Sequence, residues 1–544
     1  MRIGPRCRSA SAATCRPESS TNCSRSSNST RSRDWSWATP DHHSHRLVRH
    51  RTRQDRLDRL GRLRPPATPL RRTPVTVLEP AGNAAARRTP PGSETPALLY
   101  AVAAVSALGG LLFGYDTGII SSALLDLGHD LHLSTGYREV VVSAILVGAM
   151  VGAPVSGVLS ARWGRRPVIM AVAAVFALGA LASALAPTAA SLTLARLVLG
   201  LAVGAASNTV PVYIAETAPP AIRGRLMVLF QLMVAIGQLI SYLVGYALAG
   251  PGGWRWMFGL AVIPAVILAV GMLPLPESPR WLVGRGDQKG AHAVLTRLRS
   301  PDTDITTEVH DIAALCRAEQ NAPRSLRGTV RVLCSGRLRP ALLIALGIAA
   351  FSQLTGINAM VYYAPTLLTD AGFDGSVALL TGIGIGVMLV LAGITGALSV
   401  DRIGRRRLLL WLMPASGAAM AVLALAFLLP ESDVQRWTVV LALFAYIFLN
   451  GAGMQTVVWL LAPEVLPLSV RGPATSLATT TVWGFDLLIA VTALTAVQTF
   501  GLTATLLTYA AMNGLCWVFV FRRVPEPRGR TLEDIERSLR PRAT

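Results

Sequence analysis

Charge is scarce in this 544-residue chain: 15% of its residues are Asp, Glu, Lys or Arg, 52% are apolar, and the mean hydropathy is +0.46. Soluble domains carry about 25% charged residues, so the shortage excludes a soluble multidomain enzyme and a disordered scaffold for most of the chain. Cysteine is sparse as well, with six in all. Cys316, Cys334 and Cys516 are scattered and suggest no disulfide framework. Cys7, Cys15 and Cys23 lack the short spacing that zinc sites use, despite His42, His43 and His45 nearby. Lysine is nearly absent, since every one of the 51 basic residues except Lys289 is Arg; a GC-rich coding sequence accounts for this better than chemistry does. No apolar stretch follows Met1, which excludes a signal peptide. Nucleotide-binding loops, metal clusters and nucleophile arrangements are all missing, so neither covalent catalysis nor a cofactor is expected, and no nucleic-acid partner.

The charge that is present is unevenly spread. Residues 1–96 hold 19 basic and 7 acidic residues, while the rest of the chain carries a net +9. This first stretch is rich in Arg, Ser and Pro without hydrophobic periodicity, and is expected to be disordered. An arm touching anionic lipid or nucleic acid is the lesser reading of it. The favoured one is a true start further downstream, at a valine codon such as Val75 or Val77, because no Met lies between Met1 and Met150.

From residue 97 onward, apolar segments recur at 97–125, 140–160, 167–186, 191–214, 226–249, 257–275, 341–368, 377–400, 408–429, 438–462, 474–497 and 502–521. Each can cross a hydrocarbon core of about 30 Å, and open sheets cannot satisfy their backbone in lipid. The expectation is an all-α membrane protein of twelve transmembrane helices. Its organisation reads as a six-helix bundle over 97–275, a linker with amphipathic helices over 276–340, a second bundle over 341–523, and a tail over 524–544.

Alternate loops differ sharply in charge. One side collects Arg162, Arg165, Arg166, Arg223, Arg225, eleven basic residues in 276–340, Arg402, Arg405, Arg406, Arg407 and Arg471, whereas the other has Arg138, Arg255 and Arg436. The positive-inside rule then puts both termini and the linker in the cytoplasm of a cell whose inner membrane the chain spans.

The halves also repeat. Ser160-Ala-Arg-Trp-Gly-Arg-Arg166 after the second segment matches Val400-Asp-Arg-Ile-Gly-Arg-Arg406 after the eighth. Ala215-Glu-Thr-Ala-Pro-Pro-Ala-Ile-Arg-Gly224 matches Pro463-Glu-Val-Leu-Pro-Leu-Ser-Val-Arg-Gly472. A parallel repeat of six plus six helices implies a transporter whose solute sits between two rocking halves.

Further strings carry a family resemblance over about 97–540. They are Gly-Leu-Leu-Phe-Gly-Tyr-Asp116, Pro211-Val-Tyr-Ile-Ala-Glu216, Pro276-Glu-Ser-Pro-Arg-Trp-Leu282, Gln353-Leu-Thr-Gly-Ile-Asn358 with Tyr362 and Tyr363, and Gly529-Arg-Thr-Leu-Glu533. In these the chain resembles the sugar porter family of the major facilitator superfamily, and most closely the bacterial proton-coupled, xylose-type monosaccharide symporters. The resemblance implies a secondary transporter importing a monosaccharide or polyol with a proton, in contact with the lipid bilayer.

Three ionisable residues fall well inside the twelve segments: Asp116, Arg196 and Asp486. A charge at a span centre costs about 2.5–3.5 kcal/mol on insertion scales, so each needs a partner or a role. The resemblance implies that Asp116 takes up and releases the proton beside Arg196; a permanent structural ion pair is the alternative. Gln231 and Gln238 lie seven residues apart, two turns along one helix face, and an amide offers both donor and acceptor to a sugar hydroxyl. The resemblance makes them substrate-binding, together with Gln353, Asn358, Tyr362 and Trp459. Asp486 stands where the family has an amide. It reads as a hydroxyl acceptor, a second proton site, or the counter-charge of a cationic solute. The repeated loops supply a cytoplasmic gate of Arg162, Arg165, Glu216 and Arg223 in one half, with Asp401, Arg402, Arg405, Glu464 and Arg471 in the other. Departures from the family pattern are Ala161 for its Asp, Ser352 for a Gln, Leu389 for an Asn, and Val482 for an amide. Two rival readings stand beside sugar import: a transporter of a different, cationic solute, and a sugar sensor that does not transport.

Overall fold

The computed structural model of the protein describes residues 97–219, 222–320, 338–466 and 471–526. The expected extension over 1–96 and the tail beyond residue 526 lie outside the described residues. Twelve helical stretches among the described residues are long and apolar enough to cross a membrane.

The first bundle comprises α1 (Ala97–Asp130), α2 (Thr135–Trp163), α3 (Arg165–Ala184), α4 (Ala189–Thr217), α5 (Arg223–Ala247) and a broken sixth span made of α6 (Gly253–Gly259) and α7 (Val262–Gly271). Three short helices follow: α8 (Pro279–Gly284), α9 (Gln288–Leu298) and α10 (Ile305–Gln320). The second bundle opens with α11 (Arg339–Leu354) and α12 (Ile357–Asp370), then α13 (Gly375–Ile403), α14 (Arg405–Ala426) and α15 (Asp433–Asn450). A π-helical turn at Gly451–Gln455 joins α15 to α16 (Thr456–Val465), and α17 (Arg471–Phe500) and α18 (Leu502–Arg523) complete it.

Local chemistry sets these boundaries. Ser134 caps α2, Thr188 and Ser191 cap each other's backbone at the start of α4, and Ser278 with Pro279 opens α8, each supplying acceptors to N–H groups that the first helical turn leaves unpaired. The seventh apolar segment is not continuous. It breaks at Gly356, whose φ of 90° suits glycine and whose missing Cβ leaves room for the Tyr509 ring.

Helices in lipid gain little from hydrophobicity and associate through close packing. Between α2 and α4 this packing is reciprocal: Gly148 and Gly152 face the backbone of Leu197 and Leu201, while Gly200 and Gly204 face that of Ile145 and Ala149. Any Cβ at these four positions would meet a main-chain carbonyl.

The repeat seen in the sequence has a structural counterpart. Gly164 and Gly404, at φ 103° and 97°, turn the chain between α2 and α3 and between α13 and α14. Each half then returns a carboxylate to the new helix start. Glu277 Oε1 accepts from the Arg165 N–H at 2.9 Å, and Glu526 Oε1 accepts from the Arg405 N–H at 3.0 Å. A negative charge at a helix N-terminus offsets its partial positive charge. Burial pushes the Glu277 carboxyl up from its ordinary range, against the lowering effect of the N–H bonds it accepts.

Candidate functional site

A cavity lies where α1 and α5 of the first bundle face α11, α12, α13, the π turn, α16 and α17 of the second. Gln231 and Gln238 project into it from α5, and neither side-chain amide has a hydrogen-bond partner among the described residues. Opposite them, the Gly356 break sets Gln353 at the end of one helix and Asn358 at the start of the next. Asn358 Nδ2 donates to Gln353 Oε1 at 2.8 Å, and Gln353 Nε2 donates to Ser352 Oγ at 3.2 Å. Trp459 lines the cavity from α16, one turn beyond Gln455. Tyr362, on α12, donates its hydroxyl to Asp486 Oδ2 at 3.0 Å. The other Asp486 oxygen is buried without a hydrogen-bond partner in the structure.

The buried pair of Asp116 and Arg196 sits beside this cavity. Arg196 Nη1 and Nη2 reach the two Asp116 oxygens at 3.4 Å each, its Nε donates to the Val141 carbonyl at 3.0 Å, and its guanidinium lies 5.5 Å from the Phe258 ring centroid. A smaller cavity touching Arg196 shares Phe113, Thr117, Tyr362 and Trp483 with the larger one. The charged pair and the polar cavity are therefore separated by a single layer of side chains.

The loop charges pair within each half. Arg165 meets Glu216 at 2.8 Å; Arg405 meets Glu464 at 2.8 Å and Asp401 at 3.0 Å. Burial pushes the Glu464 carboxyl up, while the Arg405 charge pulls it down. Arg162 is exposed at the end of α2, where its carbonyl accepts from Arg285. Arg223 is exposed at the start of α5 and reaches the Ala218 carbonyl at 3.5 Å. Arg402 is exposed near the end of α13, and Arg471 opens α17. The structure thus brings together the residues expected at the substrate cavity and the proton pair, and pairs Arg165 with Glu216, and Arg405 with Glu464 and Asp401, each within its own half.

Several residues were not anticipated. Phe113 and Thr117, four apart on α1, line both cavities, and Trp483 lies with its ring centroid 5.4 Å from that of Phe113 and its Nε1 buried without a partner. Trp483 follows directly on Val482, so an aromatic beside a family position was the available signal. Gln455 donates to the Ser352 carbonyl at 3.0 Å, and it stood in plain view four residues before Trp459. Glu139 lies just ahead of the second apolar segment and was not among the expected site residues. The Ser134 cap starts α2 at Thr135, ahead of the apolar run, so Glu139 is helical and only 4% exposed.

The family model described as "Sugar (and other) transporter" matches residues 102–539. The chain is 39% identical over 444 residues to the "Probable metabolite transport protein CsbC" of Bacillus subtilis, covering 81% of this chain and 95% of that protein. It is also 39% identical over 437 residues to the D-xylose transporter of Levilactobacillus brevis, covering 80% and 94%. Among solved structures, the major facilitator superfamily proton:xylose symporter XylE, bound to 6-bromo-6-deoxy-D-glucose, superposes with a TM-score of 0.69 at 28% identity, over 81% of this chain and 99% of XylE.

Proposed function

The chain belongs to the sugar (and other) transporter family of the major facilitator superfamily, and on that basis we propose that it imports a monosaccharide or polyol with a proton, by alternating access. It is a multi-pass plasma membrane protein and not an enzyme. Both termini and the α8–α10 linker are cytoplasmic in this reading, on the side where the Arg-rich loops gather.

One observation carries the proposal: unpartnered polar groups face a cavity between the two halves, one side-chain layer from a buried acid–base pair. Gln231 and Gln238 offer unpartnered amides to solute hydroxyls, and Asp486, in the wall of the same cavity, keeps one buried oxygen without a hydrogen-bond partner. Gln353 and Asn358 spend one bond on each other and keep further donors and acceptors. Trp459 and Trp483 offer flat apolar faces to the ring carbons of a sugar.

Asp116 is the proton carrier in this scheme. Protonation cancels its attraction for Arg196 and leaves the guanidinium with the Val141 carbonyl and the Phe258 ring. Because Phe113, Thr117, Tyr362 and Trp483 line both cavities, a change at the pair is felt at the solute wall through direct packing. The loop charges Arg165, Glu216, Arg405 and Glu464, with Arg162, Arg223, Asp401, Arg402 and Arg471, serve the cytoplasmic gate by exchanging pairings within each half, as seen here, for pairings across the halves when the cytoplasmic end shuts. Exposed pairs contribute little singly, but contacts that exist in one state only bias the equilibrium between states.

Counterflow of labelled sugars and polyols in proteoliposomes tests the reading, followed by accumulation under an imposed pH gradient. Failure of every neutral sugar and polyol in the panel would overturn it. The partnerless oxygen of Asp486 favours one second reading, a cationic solute whose ammonium pairs with that carboxylate. Amino-substituted competitors that outcompete every neutral sugar would select it.

A further inference from the structure

Glu139 is a buried carboxylate that the transport scheme above leaves without a task. It lies on α2, in the first bundle, yet both its oxygens are spent on the second. Oε1 accepts from the Thr495 backbone N–H at 2.8 Å, and Oε2 accepts from the Thr495 hydroxyl at 2.6 Å. About one turn further along the same two helices, Gln498 Nε2 donates to Thr135 Oγ1 at 2.6 Å. The two contacts form a ladder between α2 and α17.

The position of this ladder matters. Thr135 and Glu139 sit at the start of α2, and Thr495 and Gln498 near the end of α17, both remote from the Arg-rich loops. The halves pack tightly at the same end, where Gly382 and Gly386 of α13 meet Tyr242 and Leu239 of α5, and where the Tyr242 hydroxyl donates to the Val361 carbonyl at 3.0 Å. At the Arg-rich end, the ion pairs of Arg165 with Glu216 and of Arg405 with Glu464 close within their own halves. A bond inside one half would survive any rocking motion, but one between halves cannot.

We propose that Glu139 is a positioning residue for transport, latching α2 to α17 through Thr495 so that the end of the molecule opposite the Arg-rich loops is held shut. It touches no part of the solute cavity and acts on the balance of states alone. That the latched end is the extracellular one rests on the orientation proposed above.

The test uses the full-length chain in right-side-out vesicles, with Val361→Cys as reporter. Val361 lines the cavity and is buried in this closed arrangement, so an external membrane-impermeant maleimide reaches it only when the latched end opens; the chain without the reporter is the blank. Glu139→Ala should raise the labelling rate at least about five-fold by shifting the population of open molecules. Glu139→Gln should fall between it and the parent, because the amide can still accept from the Thr495 N–H and donate to the hydroxyl. Thr495→Val should also speed labelling, and the double variant Glu139→Ala with Thr495→Val should label no faster than Glu139→Ala alone. Unchanged labelling in both Glu139→Ala and Thr495→Val would overturn the latch, as would fully additive effects. If Glu139→Ala fails to insert, Thr495→Val decides alone. The readout needs no solute, so it stands or falls apart from the sugar assignment.

Discussion

The Tyr362 hydroxyl donates to Asp486 Oδ2 at 3.0 Å, and the same Tyr362 ring lines the small cavity that touches Arg196. One side chain thereby bridges an acid of the second bundle and the charged pair of the first. The arrangement separates the roles of Asp116 and Asp486 experimentally.

Asp116→Asn should abolish accumulation against a gradient while preserving counterflow, since the amide keeps the volume and cannot cycle a proton. Uptake of labelled sugar with and without an imposed pH gradient measures this. Continued uphill uptake in Asp116→Asn, lost instead in Asp486→Asn, would reassign the proton to Asp486.

Asp486→Asn should retain neutral-sugar counterflow and change the order of competing solutes, because the amide restores a donor where the carboxylate only accepts. Tyr362→Phe leaves the Asp486 carboxylate one bond poorer, at a cost of about 1–3 kcal/mol for a buried group left unpaired. A double-variant cycle on solute affinity should therefore find the two coupled. Independent effects would contradict the bond.

Gln231→Ala and Gln353→Ala should both weaken solute binding by about 1–3 kcal/mol, each leaving hydroxyls unpaired in a confined site. Gln353→Ala should cost more, as it also strips Asn358 of its acceptor, whereas Gln231 has no side-chain hydrogen bond to lose among the described residues. Affinities from competition assays rank them, and the reverse order would argue against the Gln353–Asn358 bond as an organiser of the site.

Gly148→Val should prevent proper crossing of α2 and α4, where the added carbons meet the Leu197 carbonyl. Overpacking typically costs about 1–3 kcal/mol and more against unyielding backbone. Thermal unfolding in detergent, followed by size-exclusion fluorescence, should register a marked fall in Tm. A Tm equal to the parent's would mean that the helices are further apart than described.

Much of the architecture was legible in the chain, because lipid imposes a severe filter. A span must be a helix of about 20 apolar residues, so twelve such runs name twelve helices. The broken seventh segment was not legible, since Gly356 resembles any other glycine in an apolar run until the Tyr509 ring is known to press against it. Glu139 escaped because it precedes the apolar run, and hydropathy cannot see that a cap at Ser134 begins the helix earlier. Trp483 escaped because a tryptophan in a span is as much at home in packing as in a cavity.

By itself the sequence determined the class of molecule, its repeat and the chemical types at its centre, because composition, spacing and charge are properties of the chain. Tertiary structure alone decided which of those groups meet. That Gln353 satisfies Asn358 while Gln231 stays open, that one oxygen of Asp486 is spent and the other free, and that Glu139 reaches Thr495, 356 residues away, depend on how two bundles are turned against each other. A hydrogen bond is won or lost over a few tenths of an ångström, and no spacing along one chain fixes a distance between two helices.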